Sequence, residues 1–303
     1  MKRFFALSRT THGILDMATP AFCALLWLGH FPSITVILLS VFTAFAAYTA
    51  TYALNDLIGV KVDREKFSGG EINPGYSVEA SEQRYPLAQN LLSIKSGLLW
   101  MGAWFILALI GSYLLNPVIV IILLAATVLE VIYCLLLKVT YLRVLVSGVV
   151  KSSGPIAAVF AVDANPSPYL LLLLFGWLFF WEIGGQNIPA DWNDTVEDIR
   201  VHAKTIPIRF GVDKAGLIVI TALTLTVIVS GFLPLISPAN LGLPYILASL
   251  IIGYVFLLRP GFQLYKLKEG RLAGRLFDKA SYYPGVQLVL ISIFILVHMA
   301  LGT

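Results

Sequence analysis

Long apolar runs, broken by short polar connections, set the pattern of this 303-residue chain. Nine runs approach the ~20 residues that a helix needs to cross about 30 Å of hydrocarbon. They fall at Gly13–His30, Ser33–Leu54, Ser96–Leu115, Pro117–Leu137, Val144–Val162, Tyr169–Ile188, Ala215–Leu235, Pro244–Leu258 and Tyr283–Leu301. The pattern therefore predicts an all-α integral membrane protein of nine transmembrane helices, with no separate hydrophilic domain. Only three long polar connections interrupt it, at 59–95, 191–214 and 259–282. The first two follow the second and sixth spans. Residues 1–303 thus read as one membrane domain of two pseudo-repeated four-helix units plus one helix, around a central cleft.

Composition agrees: 58% of residues are hydrophobic, 13% are charged, and the mean hydropathy is +0.84. Lys and Arg fall on alternate connections and at the N-terminus, whereas 30–33, 163–168 and 237–243 carry none. The positive-inside rule then places the N-terminus in the cytoplasm of an integral cell-membrane protein, the C-terminus outside, and the cleft mouth on the cytoplasmic side. The pI near 9.0 follows from this asymmetry and implies no nucleic-acid partner. Met1-Lys2-Arg3 reads as the basic flank of a retained first helix. Cys23 and Cys134 lie far apart in apolar runs, so they read as buried hydrophobes. The four His residues lack zinc-ligand spacing.

Two acidic clusters stand out because carboxylates beside a bilayer are costly and tend to mark sites. One contains Asn55, Asp56 and Asp63; the other contains Asp191, Asp194 and Asp198. On continuous helices, Asn55, Gly59 and Asp63 share one face, as do Asp191, Asp194 and Asp198, with Asn187 one turn earlier. Hard oxygen donors of this kind suit Mg²⁺ shared with substrate phosphates, so these six residues are the candidate metal ligands. A diphosphate also needs cations. Arg84, Lys138 and Lys204 lie on the same face and are candidate diphosphate contacts. Lys151 sits about two turns inside the fifth span, deeper than a flanking anchor. Asp63, Asp191 and Lys151 are the candidate catalytic residues. Glu130 and Glu182 lie near the same ends of their spans and are candidates to line the cavity.

At these residues the chain resembles the UbiA superfamily of intramembrane prenyltransferases. The family's D-x-x-D-x-x-x-D matches at Asp191, Asp194 and Asp198, followed by Lys204-Thr205-Ile206-Pro207 and Arg209-Phe210-Gly211. Its N-D-x-x-D-x-x-x-D matches at Asn55, Asp56 and Asp63, with Gly59 in place of an aspartate. Arg84-Tyr85-Pro86-Leu87 resembles its R-P-L segment with one residue inserted, and Tyr133 and Lys138 approximate its Y-x-x-x-K. The resemblance implies Mg²⁺-dependent transfer of a prenyl group from a prenyl diphosphate donor to a small aromatic or lipid acceptor, among membrane lipids. Two other readings remain open: a catalytically impaired binder of prenyl lipids, for which Gly59 speaks, and an ion-coupled transporter, which predicts charges near the bilayer midplane. The topology has its own test. A cysteine replacing Gly302 should react with an impermeant thiol reagent added to intact cells, and one replacing Ser68 should not; the reverse labelling would reject the orientation.

Overall fold

The computed structural model describes residues 1–68 and 85–301. All regular structure among them is helical. In order these are α1 (Lys2–Leu7), α2 (Thr10–Asp16), α3 (Ala18–Leu28), α4 (Ile34–Phe67), α5 (Ile94–Leu115), α6 (Pro117–Leu135) and α7 (Arg143–Phe160). There follow α8 (Pro168–Trp181), α9 (Ile188–Asn193), α10 (Thr195–Arg200), α11 (Ile206–Ser230), α12 (Gly242–Gly253), α13 (Arg259–Leu267) and α14 (Gly270–Leu301). Wider π turns, Glu182–Asn187 and Tyr254–Leu258, join α8 to α9 and α12 to α13. Eight of the resulting rods are long and apolar enough to cross a membrane.

The expected ninth rod, over residues 13–30, is divided instead into α2 and α3, which meet at Met17. Pro20 explains the break, since it has no N–H to give the carbonyl of Asp16 four residues back. The Thr19 hydroxyl donates to that oxygen instead, at 2.8 Å. A proline inside α14 is handled in the same way. Pro284 leaves the carbonyl of Ala280 without its helical donor, and the Trp181 indole N–H supplies one at 3.0 Å. Both substitutions obey the rule that backbone polar groups in a membrane must be satisfied within the protein.

The main apolar core lies in the second half of the chain, where Trp177, Trp181, Leu223, Leu264, Tyr283 and Ile291 are buried between α8, α11, α13 and α14. Close helix approach there depends on small residues. A Cβ on Gly184 would come within 3.0 Å of the Val219 carbonyl oxygen, and one on Gly185 within 2.8 Å of Ala280. The other half is built differently. There α4 lies beside α5 and α6, and α7 lies against α3, α6 and α8. Between them a cavity of about 540 Å³ opens. At ~1.5 Å per residue, α4 is about 50 Å long, so its last turns carry Asp63 and Lys66 beyond the apolar layer.

Candidate functional site

One face of α7 organises the cavity. Arg143, Ser147 and Lys151 recur every four residues, so they form a single stripe, and all three line the cavity. Each holds a different acidic side chain. The Arg143 guanidinium donates to Asp191 Oδ1 at 3.1 Å and to the Tyr133 hydroxyl at 2.7 Å. Ser147 donates to Glu182 Oε1 at 2.5 Å. The Lys151 ammonium donates to Asp16 Oδ2 at 2.6 Å, and the Tyr52 hydroxyl donates to that same oxygen. Three acids from three separate elements thus converge on one helix.

The second acidic cluster arrives through a distorted segment. The π turn at Glu182–Asn187 leads into α9, which ends at Asp194 before α10 begins. The helix is interrupted in the middle of the motif, yet Asp191, Asp194 and Asp198 all line the cavity. Asp198 meets the Lys66 ammonium at 2.7 Å. Burial pushes its carboxyl above the usual carboxylate range, and the Lys66 charge opposes that shift. Asn187 donates to the Tyr133 hydroxyl at 2.9 Å. Its Oδ1 is buried without a hydrogen-bond partner among the described residues.

The first cluster is divided between two tasks. Gly59 and Asp63 line the cavity, and α4 continues through both of them to Phe67. The Asp63 carboxylate lies back over Gly59, with Oδ2 2.9 Å from where a Cβ would stand. Asn55 also lines the cavity, its amide donating to Glu130 Oε1 at 2.6 Å. Asp56 is buried, is absent from the cavity lining, and pairs with Arg9 at 3.0 Å. Arg9 adopts a left-handed backbone at φ 42°, unfavourable for a residue with a Cβ, and its guanidinium also lies near the Tyr52 and Tyr85 rings.

Of the expected diphosphate contacts, Lys138 lines the cavity and pairs with Glu65 at 2.6 Å. Lys204 is exposed and is not among the lining residues. Arg84 lies outside the described residues. Three cavity-lining cations escaped the sequence reading: Arg9, Lys66 and Arg143. Each flanks a span and reads as a positive-inside anchor. The available signals were weak ones, namely Lys66 three residues after Asp63 and Arg143 eight before Lys151. Asp16 lies inside the apolar run 13–30, with no motif spacing to mark it.

Among the described residues no three His, Cys, Asp or Glu side chains converge closely enough to form a metal cage alone. Mg²⁺ seldom requires one, because it keeps waters and shares one or two carboxylates with substrate phosphates. Hard oxygens on Asp63, Asp191, Asp194 and Asp198, beside the unpartnered Asn187 Oδ1, fit that mode. Beyond this charged end the cavity wall turns apolar and small, with Ala24, Ala44, Ala47, Ile122, Ala126 and Ala158.

Fold and site together define a multi-pass helical membrane protein with a buried cavity, charged at one end and apolar along its length. The chain matches the UbiA prenyltransferase family over residues 17–283, and it belongs to that family. Similar solved structures include a UbiA homologue from Archaeoglobus fulgidus bound to DMAPP and Mg²⁺, at 15% identity and TM-score 0.68, covering 96% of this chain and 99% of that one. The apo UbiA homologue of Aeropyrum pernix K1 aligns at 16% identity and TM-score 0.72, covering 96% and 98%. A digeranylgeranylglyceryl phosphate synthase aligns at 18% identity and TM-score 0.66, covering 98% and 97%. No curated protein sequence matches the chain.

The α7 pairs differ from the Lys138 pair in burial, and burial decides their cost. Arg143 and Asp191 are 8% and 9% exposed, whereas Lys138 and Glu65 are 40% and 55%. Breaking a buried pair leaves an uncompensated charge and costs about 3–5 kcal/mol; breaking an exposed one costs about 1 kcal/mol or less. Arg143→Met should therefore lower the thermal midpoint in detergent clearly, Lys138→Met should leave it nearly unchanged, and Arg143→Met combined with Asp191→Asn should recover much of the loss.

Proposed function

We propose that the protein transfers a prenyl group from a prenyl diphosphate, bound through Mg²⁺, to an acceptor held inside the membrane. The observation that carries this reading is one cavity in which Asp63, Asp191, Asp194 and Asp198 stand beside Lys66, Lys138 and Arg143 at one end, with small apolar side chains beyond. A prenyl diphosphate has the same division, anionic at one end and hydrocarbon along the rest.

In this reading Asp191, Asp194, Asp198 and Asp63 hold Mg²⁺, with Asn55 beside them and Asp56 acting from behind, through Arg9. When bound, Mg²⁺ supplies Lewis-acid stabilisation of the departing diphosphate. Lys66, Lys138 and Arg143 place positive charge where the leaving group gains negative charge, the requirement for electrostatic catalysis. Arg84 and Lys204 are proposed to meet the same diphosphate from the connections, which requires Lys204 to turn inward. The apolar wall keeps water from an electron-poor C1. Tyr48, Tyr52 and Tyr133 line the cavity, and their π faces stabilise positive charge.

Two experiments test the assignment. Replacing Asp191, Asp194 or Asp198 singly with Ala should reduce Mg²⁺-dependent diphosphate release by about a hundredfold or more, roughly 2.7 kcal/mol at 1.36 kcal/mol per tenfold, in protein that still folds. Near-normal release from all three variants would reject it. Gly59→Asp places a carboxylate beside Asp63 on the cavity side of α4. That variant should stay active and reach half its maximal rate at lower Mg²⁺. A folded but inactive variant would show that position 59 does not serve the metal.

A further inference from the structure

The middle rung of the α7 stripe, Ser147 and Glu182, is not used by the donor binding proposed above. Arg143 belongs to the diphosphate end through Asp191. Lys151 is matched by Asp16, so its charge is already met. Between them Ser147 holds Glu182 by one oxygen only. Glu182 is 6% exposed and lines the cavity, and its second oxygen, Oε2, has no hydrogen-bond partner among the described residues. A buried carboxylate oxygen left unmatched is destabilising, and here it borders a space that a ligand can enter. Successive rungs four residues apart are about 6 Å from one another along α7. The middle rung is therefore one step inward from the diphosphate end, where C1 of a bound donor and the atom attacking it must meet.

On the basis of the donor reading above, we infer that Ser147 and Glu182 form the acceptor subsite, and that the acceptor is an uncharged phenol or hydroquinone. Glu182 Oε2 requires a hydrogen-bond donor, which a hydroxyl group supplies. A carboxylate on the acceptor would instead face Glu182. Among the described residues the ammonium that acts on Glu182 is that of Lys151, and Asp16 already holds it at 2.6 Å. Tyr48, Tyr52 and His12 complete the wall with flat rings suited to an aromatic acceptor. In the transfer, the C1–O bond of the donor breaks and its electron pair leaves with the diphosphate. C1 bonds to the acceptor oxygen, or to the ring carbon beside it, in which case the hydrogen on that carbon then moves as a proton to the oxygen and restores the aromatic ring. The hydroxyl proton passes to Glu182 Oε2, so the products are neutral prenylated acceptor, diphosphate and protonated Glu182.

The test uses purified full-length protein with geranyl diphosphate and Mg²⁺, offered hydroquinone or 4-hydroxybenzoate, with prenylated product measured by mass. Geranyl thiodiphosphate binding is measured in parallel. The wild type should prenylate hydroquinone at least about tenfold faster than 4-hydroxybenzoate. Glu182→Gln keeps the shape but removes the base, so it should lose about a hundredfold in product, within the usual range for a general base. It should also lose the acid limb of the pH–rate profile, while thiodiphosphate affinity stays within about twofold of wild type. Ser147→Ala, which frees Glu182 without changing charge, should lose less. Preference for 4-hydroxybenzoate, transfer to neither acceptor, or full activity in Glu182→Gln would overturn the inference. Failure of the wild type to bind geranyl thiodiphosphate would overturn the donor reading, and this inference with it.

Discussion

A charge inside a membrane must find its partner inside the protein, and the first half of this molecule is arranged around that requirement. One face of α7 meets three acidic side chains, from α2, from the π turn and from α9. None of those elements is a plain apolar rod. The break between α2 and α3, the π turn and the end of α9 at Asp194 each bring a carboxyl to α7. Distorted helix thus occurs beside each of the three acids that meet α7. Irregular backbone at membrane depth is tolerated only where it is buried in protein or lines a cavity.

The two halves of the structure divide the labour. Around α8, α11 and α14, large aromatic and aliphatic side chains fill the interior, and glycines bring helices close. Around α4, α6 and α7, small side chains leave space. Asp191 and Glu182 lie on the boundary, carried on the rod that is packed against the dense half. Asp191 and Glu182 are therefore mounted on the more closely packed wall, and a fixed orientation of polar groups is what electrostatic catalysis requires.

The helical class and most span positions were legible because apolar periodicity and run length depend only on local sequence. The second acidic motif was legible too, as spacing. Its three carboxyls do line one cavity, although the helix is interrupted between them. What the sequence could not show was pairing. Arg143 and Lys66 look like ordinary basic flanks, and only the packing of α7 against the π turn, and of α10 against α4, gives them their acidic partners. Asp56 shows the converse. Its motif position suggests a ligand, and the structure pairs it with Arg9, whose left-handed backbone no motif announces. The first span reads as one helix because its apolar run, 13–30, is continuous through Pro20, which lies two turns inside it. In the structure the helix breaks at Met17, and the Asp16 carbonyl takes its hydrogen from the Thr19 hydroxyl.

The π turn between α8 and α9 works as a phase shifter. An ordinary helix advances about 100° per residue, so two faces of one rod keep a fixed angular relation along its length. A π turn adds one residue without adding a turn and resets that relation once. Upstream of it, Trp177 and Trp181 point into the packed half; downstream, Asp191 points into the cavity. The angle between anchor and carboxyl is therefore stored in a single extra residue. Evolution along this lineage can vary the packing or the chemistry separately, but a one-residue deletion in the turn would rotate every acid beyond it out of register with α7.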